Sequence, residues 1–275
     1  MQKKIAVIND LSGYGRCSLT VAIPVLSVMG HQCCPVPTAI LSNHTEFPVY
    51  FFDDYTEKMT AYTDKWKELG LSFDAVATGF LGSEAQIEIV MDMIRKLESE
   101  ETFVVVDPVM GDHGHAYETY TPEMCEQMKE LVCMADIVLP NVTECCILTD
   151  TPYKKENWTR RELLNMAMML RLMGAKSVVI TGVREGSYYT NVVLEQGQYD
   201  ARFIRTKSSG GERPGTGDVF SSVVAGALLN GKSLPEAVTQ AAGFVKDCIK
   251  VSDEEQIPHA NGVCFEKILG KLIKK

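Results

Sequence analysis

The sequence predicts a doubly wound α/β fold, a mostly parallel sheet with helices on both faces and a small antiparallel hairpin. Three observations carry this expectation. Short runs rich in valine and isoleucine alternate with longer amphipathic or small-residue stretches. The runs are apolar throughout rather than at every second position, the pattern of strands covered on both faces. Polar residues cluster just past nearly every run, and in such folds ligands sit at the carboxyl ends of the strands.

Taken in order, the first strand is Lys4–Asn9, and its end carries the polar residues Asn9, Asp10 and Ser12. A helix over Arg16–Met29 leads to a second strand at Cys33–Ile40, which runs into the polar stretch Ser42 to Thr45. A helix over Thr56–Leu69 precedes the strand Ala75–Gly79, and one over Ser83–Ser99 precedes Phe103–Asp107. The helix Pro122–Met134 leads to the strand Ile137–Pro140, and Thr159–Met173 leads to Ser177–Thr181. After Thr181 the pattern changes. Ser187–Glu195 and Gln198–Arg205 flank Gln196-Gly197 and read as an antiparallel hairpin. Helices follow at Gly217–Asn230, at Leu234–Val251 and last at Gly262–Ile273.

With 275 residues, 45% of them apolar, the chain suits one large domain spanning 1–275. A formal charge of −9 argues against nucleic acid or an anionic membrane as partner, since both need basic patches. It does not argue against a nucleotide, which needs only local N–H groups and a metal ion. No apolar run approaches a membrane span, and the N-terminus turns polar at Asn9-Asp10, too early for a signal peptide. Nine cysteines with no C-x-x-C read as buried thiols of a cytoplasmic protein rather than a disulfide frame or a zinc site. The stripe Met166–Met173 and the pair Cys145-Cys146 read as core packing.

Two nucleotide motifs are missing: there is no G-x-x-x-x-G-K-[ST], and Gly13-Tyr14-Gly15 lacks the third glycine of a dinucleotide fingerprint. The best phosphate holder is therefore Gly215-Thr216-Gly217-Asp218, which opens a small-residue helix. N–H groups at a helix start hold anions, and glycines allow close backbone approach. Asp218 admits two readings, a first-turn acid favoured by the helix dipole and a general base beside the phosphate. The Gly210-Gly211 pair upstream supplies a hinge. Asp107 and Asp112, either side of a glycine turn, could reach a metal-bound polyphosphate, or Asp107 could close an Asx-turn. His113-Gly114-His115 has no third nitrogen or sulfur ligand nearby and reads as a mobile loop. Asn141 and Glu144 match a capping box, and on spacing alone the cap accounts for both.

Together these motifs resemble the ribokinase-like superfamily of small-molecule kinases, and within it the vitamin B6 (pyridoxal) kinases. The carrying residues are Asp107-Pro108-Val109-Met110-Gly111-Asp112, Asn141-x-x-Glu144, Thr181-Gly182, Gly215-Thr216-Gly217-Asp218 and Leu41-Ser42-Asn43-His44-Thr45. The resemblance implies ATP-dependent phosphorylation of the 5′-hydroxyl of pyridoxal, pyridoxine or pyridoxamine, with Asp218 as base and Gly215, Thr216 and Gly217 as anion hole. It implies that Asp112, Asn141, Glu144, Thr181 and Gly182 attend ATP, and that Asp107, Asp112 and Glu144 lie near Mg2+. A monovalent cation near Asp107 is a further option. Ser12, Thr45 and Phe80 match substrate-binding positions, and a homodimer is the implied assembly. One departure stands out: Asp10 to Ser18 lacks the Val-Gly-Asn ending usual in pyridoxal kinases. Hydroxymethylpyrimidine (phosphate) kinases of thiamine synthesis are similar but tend to carry cysteine at the position of Asp218. A non-catalytic sensor on the same fold is the third reading.

Overall fold

The computed structural model describes residues 2–97, 99 and 101–273. Its centre is a nine-stranded sheet ordered β11-β10-β9-β8-β5-β4-β1-β2-β3. The chain begins in the middle of this sheet with β1 (Lys4–Tyr14), crosses through α1 (Ser18–Val28) and adds β2 (Gln32–Asn43) in parallel. The edge strand β3 (Phe52–Asp54) pairs antiparallel with β2. After α2 (Thr56–Glu68) the chain returns to the other side of β1, laying down β4 (Ala75–Thr78) in parallel. Then α3 (Glu84–Leu97) leads to β5 (Phe103–Val106), the next parallel strand outward. A separate two-residue hairpin, β6 (Gly111–Asp112) and β7 (His115–Ala116), precedes α4 (Pro122–Cys133). The parallel order continues through β8 (Ile137–Val138), the short α5 (Val142–Leu148), α6 (Arg160–Met173) and β9 (Ser177–Glu185). The sheet closes with antiparallel β10 (Tyr188–Leu194) and β11 (Arg202–Lys207), and the chain ends through α7 (Thr216–Leu229) and α8 (Leu234–Glu254).

Because β1 sends the chain first to one side and then to the other, the strand order reverses between β1 and β4. That reversal leaves a crevice at the carboxyl ends of these strands, the usual ligand position in an open α/β sheet. Two hydrophobic layers sandwich the sheet. On one face α2 to α6 bury Met59, Ile87, Met128, Cys145 and Leu163; on the other α1, α7 and α8 bury Leu19, Val223 and Ala241. The doubly wound expectation holds. Met166 is buried, Met168 and Met173 pack against the same layer, and Met169 points outward at 39% exposure. All nine cysteines are free, and Cys145 and Cys146 are buried. Among the described residues no helix is long and apolar enough to cross a membrane.

Four expectations need correction. β1 runs on to Tyr14 through a register shift between Asn9 and Leu11, because Leu11, Ser12 and Tyr14 keep pairing with Ile40, Leu41 and Asn43. The Gln196-Gly197 turn forms, with Gln198 N donating to Glu195 O (3.1 Å), but pairing resumes only at Arg202 rather than Gln198. The intervening groups are engaged elsewhere: the Gln198 carbonyl accepts from Arg171, and Asp200 Oδ1 accepts from Ala201 N (2.9 Å). Within the helix expected at Gly262–Ile273 only the 3₁₀ segment Glu266–Leu272 forms; another, His259–Asn261, ends just before Gly262, which stands at φ 72°. His113-Gly114, read as part of a loop, forms the tip of the β6–β7 hairpin with φ values of 52° and 87°, the positive-φ pair that a two-residue hairpin turn demands. The helix expected over Ser83–Ser99 is α3; Glu98, within its expected end, lies outside the described residues.

Candidate active site

The first turn of α7 meets the β1–β4 crevice. Gly215 stands at its N-cap with φ 77°, a left-handed conformation, and a Cβ there would lie 1.7 Å from the Arg16 carbonyl oxygen. Only glycine lets the α7 start press against the Arg16–Cys17 backbone. Helix geometry leaves the Thr216 and Gly217 N–H groups without intrahelical acceptors, and Gly217 is exposed. Thr216 Oγ1 turns back to Arg213 O (3.0 Å), closing the turn. The arrangement offers an anion a short arc of N–H donors at the positive end of a helix.

Asp218, on the same turn, is half-buried. Asn9, at the β1 register shift, donates from Nδ2 to Asp218 Oδ1 (3.3 Å). Asn9 cannot present its carbonyl oxygen to the aspartate, because that oxygen already accepts from Asp10 N (3.0 Å) and Phe80 N (2.9 Å). Gly79 makes the room: a Cβ there would stand 2.3 Å from Asn9 Nδ2. Asn9 thus ties β1, the end of β4 and the α7 carboxylate together. Its replacement by alanine strands one buried and one part-buried N–H group, and Asn9→Ala is expected to lower unfolding free energy by about 1–3 kcal/mol in denaturant titration.

Burial is the main force on the Asp218 carboxyl, pushing its pKa up to about 6 against the pull of the Ser18 N–H and Asn9; the Asp10 charge adds to the rise. Asp107, just past β5, is pushed up to about 7 by burial and then by the Asp218 charge. Glu144 is buried at 3% exposure and raised well above the usual range by burial and by Asp107. The capping box expected around it is present. Asn141 Oδ1 accepts from Glu144 N (2.9 Å), while Glu144 takes Asn141 N (2.7 Å) on Oε2 and Met110 N (3.1 Å) on Oε1. Asn141 Nδ2 reaches Gly111 O (2.8 Å), so the cap also holds the β6–β7 hairpin against α5.

The other residues singled out in the sequence fall around this centre. Asp112 is exposed and accepts from His113 N (2.7 Å), and its charge adds to the rise at Glu144. Thr181 bridges to Asn141 and donates from N to Pro140 O (2.8 Å). Gly182, exposed at φ 68°, donates from N to the buried Asn191 Oδ1 (3.2 Å). Phe80 is half-buried, and its carbonyl accepts from Thr38 Oγ1 (3.0 Å). Ser12 is fully buried and donates to Asp10 Oδ2 (2.7 Å), while Ser18 donates to the other Asp10 oxygen. Thr45 is exposed on a turn that Asn43 secures through Val49 O (2.9 Å) and His44 secures through Ala260 O (2.7 Å).

Two participants were not read from the sequence as site residues. Asn9 appeared only as a polar strand end, although an asparagine closing an apolar run was the available signal. Tyr117 gave no signal at all. Tyr117 is 43% exposed, and its phenol is pushed up by burial and by the charges of Glu144, Asp112, Asp107 and Asp218.

A family model described as phosphomethylpyrimidine kinase matches residues 23–264. The chain belongs to the phosphomethylpyrimidine kinase family. The structure of a Bacteroides thetaiotaomicron protein, provisionally named a phosphomethylpyrimidine kinase, is 39% identical with a TM-score of 0.96, covering 100% of this chain and 95% of that one. A second crystal form of that protein, 40% identical with a TM-score of 0.93 and covering 99% and 96% of the two chains, contains pyridoxal. The pyridoxine kinase of Bacillus subtilis is 27% identical over 260 residues, 92% of this chain and 85% of its own. A hydroxymethylpyrimidine/phosphomethylpyrimidine kinase of Aquifex aeolicus is 30% identical over 178 residues, 64% of this chain and 67% of its own. The protein is a small-molecule kinase with the fold of the pyridoxal kinases.

Proposed function

We propose that this kinase transfers the γ-phosphoryl group of ATP to the 5′-hydroxyl of pyridoxal, pyridoxine and pyridoxamine. The observation that carries the chemistry is the pairing, within one helical turn, of an anion-binding arc with a carboxylate whose proton affinity is raised into the working range. Asp218 takes the proton of the attacking hydroxyl, and Gly215 to Gly217 hold the transferring group in line. Asn9 keeps the Asp218 oxygen aimed at the crevice. Phosphoryl transfer asks for such positioning and charge neutralisation more than for covalent chemistry.

Mg2+ fits the donor set. Asp107 is half-buried and Glu144 buried, both carboxyls are raised, and a hydrated divalent ion held by few carboxylates would relieve both. Bound there, Mg2+ would neutralise polyphosphate charge, with Asp107 and Glu144 ordering its surroundings and Asp112 adding charge at the rim. Asn141, Thr181 and Gly182 border the nucleotide end; Ser12, Thr45 and Phe80 border the alcohol. The same reading takes residues 1–275 as one kinase domain, working in the cytoplasm as a homodimer.

The B6 substrate rests on the pyridoxal-containing form of the Bacteroides protein and on the likeness to pyridoxine kinase over 92% of this chain. A second reading, hydroxymethylpyrimidine as acceptor, draws on the Aquifex relative and the family description. Product analysis of an ATP-and-pyridoxal incubation tests the first: pyridoxal 5′-phosphate should form in step with ADP, and ADP formation with no phosphorylated vitamer would refute it.

The raised Asp218 carboxyl gives a pH dependence with a definite sign. The base must be ionised to accept a proton, so kcat/KM should fall below pH about 6, approaching a tenfold loss per further unit. A profile flat down to pH 5 would remove Asp218 from that role.

A further inference from the structure

Beside the Asp218 turn lies a cavity of about 20 Å³ whose polar lining is Asn9, Thr78, Asp218, Ser221 and Ser222. The rest of its wall is aliphatic, from the sheet, α1 and α7. Thr78 is the last residue of β4 and only 5% exposed. Among the described residues its Oγ1 has no hydrogen-bond partner. A buried hydroxyl without a partner is uncommon, and apolar cavities stay dry where polar ones of this size hold one water.

Its neighbours define what the cavity faces. The Thr78 carbonyl accepts from Asp107 N (3.3 Å), and Thr78 lines the same cavity as Asp218. Ser221 Oγ lies 3.4 Å from Asp218 O, on the next turn of α7. Asp218 is among the residues that line the cavity, and its side chain is already held from one side by Asn9.

We propose that this cavity binds a single ordered water that hydrogen-bonds Thr78 Oγ1 and the Asp218 carboxylate, making Thr78 a positioning residue for the base. Asn9 and the water then grip the carboxylate from two directions, and neither touches substrate. The inference rests on Asp218 acting as the base, but the cavity and its water stand apart from substrate identity.

The experiment compares Thr78→Val and Thr78→Ser with the parent enzyme in thermal melts, steady-state kinetics and a high-resolution crystal structure. Valine keeps the volume and removes the hydroxyl. If the water is present, Thr78→Val lowers Tm and cuts kcat about fivefold, the rate equivalent of one hydrogen bond. KM for ATP and for the alcohol stays unchanged, and Thr78→Ser restores kcat. Density for a water within hydrogen-bonding distance of Thr78 Oγ1 completes the case. A dry cavity, or a Thr78→Val protein with higher Tm and unchanged kcat, overturns it. Failure of the B6 assignment shows separately, as absent vitamer phosphorylation by the parent enzyme, and leaves the melting and density readings intact.

Discussion

Asp218→Asn should leave a folded protein that still binds ATP but turns over about 10²-fold more slowly or worse, the usual scale for losing a general base. The substitution keeps the side chain's shape, and its oxygen can still accept from Asn9 Nδ2, so the loss reports on the proton acceptor rather than on a collapsed site. Stability should move the opposite way. The folded-state pKa of Asp218, about 6, lies above the ordinary unfolded value of about 3.9. Between these values the native state binds more protons than the unfolded one, so ionisation costs stability as pH rises through about 6. At pH 7 to 8 the asparagine variant escapes that cost and should melt at a higher temperature. The gain should shrink as the pH falls and vanish below about 4, where both states of the parent are protonated. A variant that is less stable at pH 8, or that turns over near the parental rate, would contradict the role given to Asp218. Function held at the expense of stability is common at active sites.

Gly215→Ala should be the most damaging single methyl group in the chain. A left-handed φ costs a non-glycine residue about 1–2 kcal/mol, and the added Cβ would stand 1.7 Å from a backbone oxygen, that of Arg16. Backbone cannot swing aside as a long side chain can, so the first turn of α7 must shift, carrying the N–H arc and Asp218 with it. Activity should be lost together with several degrees of Tm. Gly217→Ala is the control within the same turn. Its Cβ meets nothing within 4 Å and its φ is not positive, so the fold should tolerate it, with helix propensity gaining up to about 1 kcal/mol. A stable Gly217→Ala protein with weakened phosphoryl transfer would locate the anion at that N–H arc. Equal stability of the two alanine variants would show that the Gly215 conformation is not required.

Much of this architecture was legible because the physics that sets it is local. Doubly covered strands such as Phe103–Val106 and Ser177–Ile180 read as unbroken apolar runs, and Asn141 with Glu144 announced a cap that the structure forms. What escaped depends on partners distant in sequence. β1 continues through the polar stretch to Tyr14 only because β2 pairs with it, and β3 is strand only because β2 offers an edge. The last helix failed because Gly262 turns left-handed while the segment packs in 3₁₀ turns. The site shows the same division. Asp218 and its glycines could be found as a contiguous motif, whereas Asn9 reaches Asp218 across 209 positions, and no local pattern encodes that contact. Substrate choice was the least legible part: Ser12 turned out fully buried against Asp10, and Thr45 exposed.

The most direct test is a single-vessel competition in which limiting ATP is offered to the enzyme with equal pyridoxal and hydroxymethylpyrimidine, each phosphorylated product being quantified. Pyridoxal 5′-phosphate should dominate and should disappear when Asp218→Asn replaces the parent enzyme. Dominance of the pyrimidine phosphate, or undiminished product from the variant, would contradict the account.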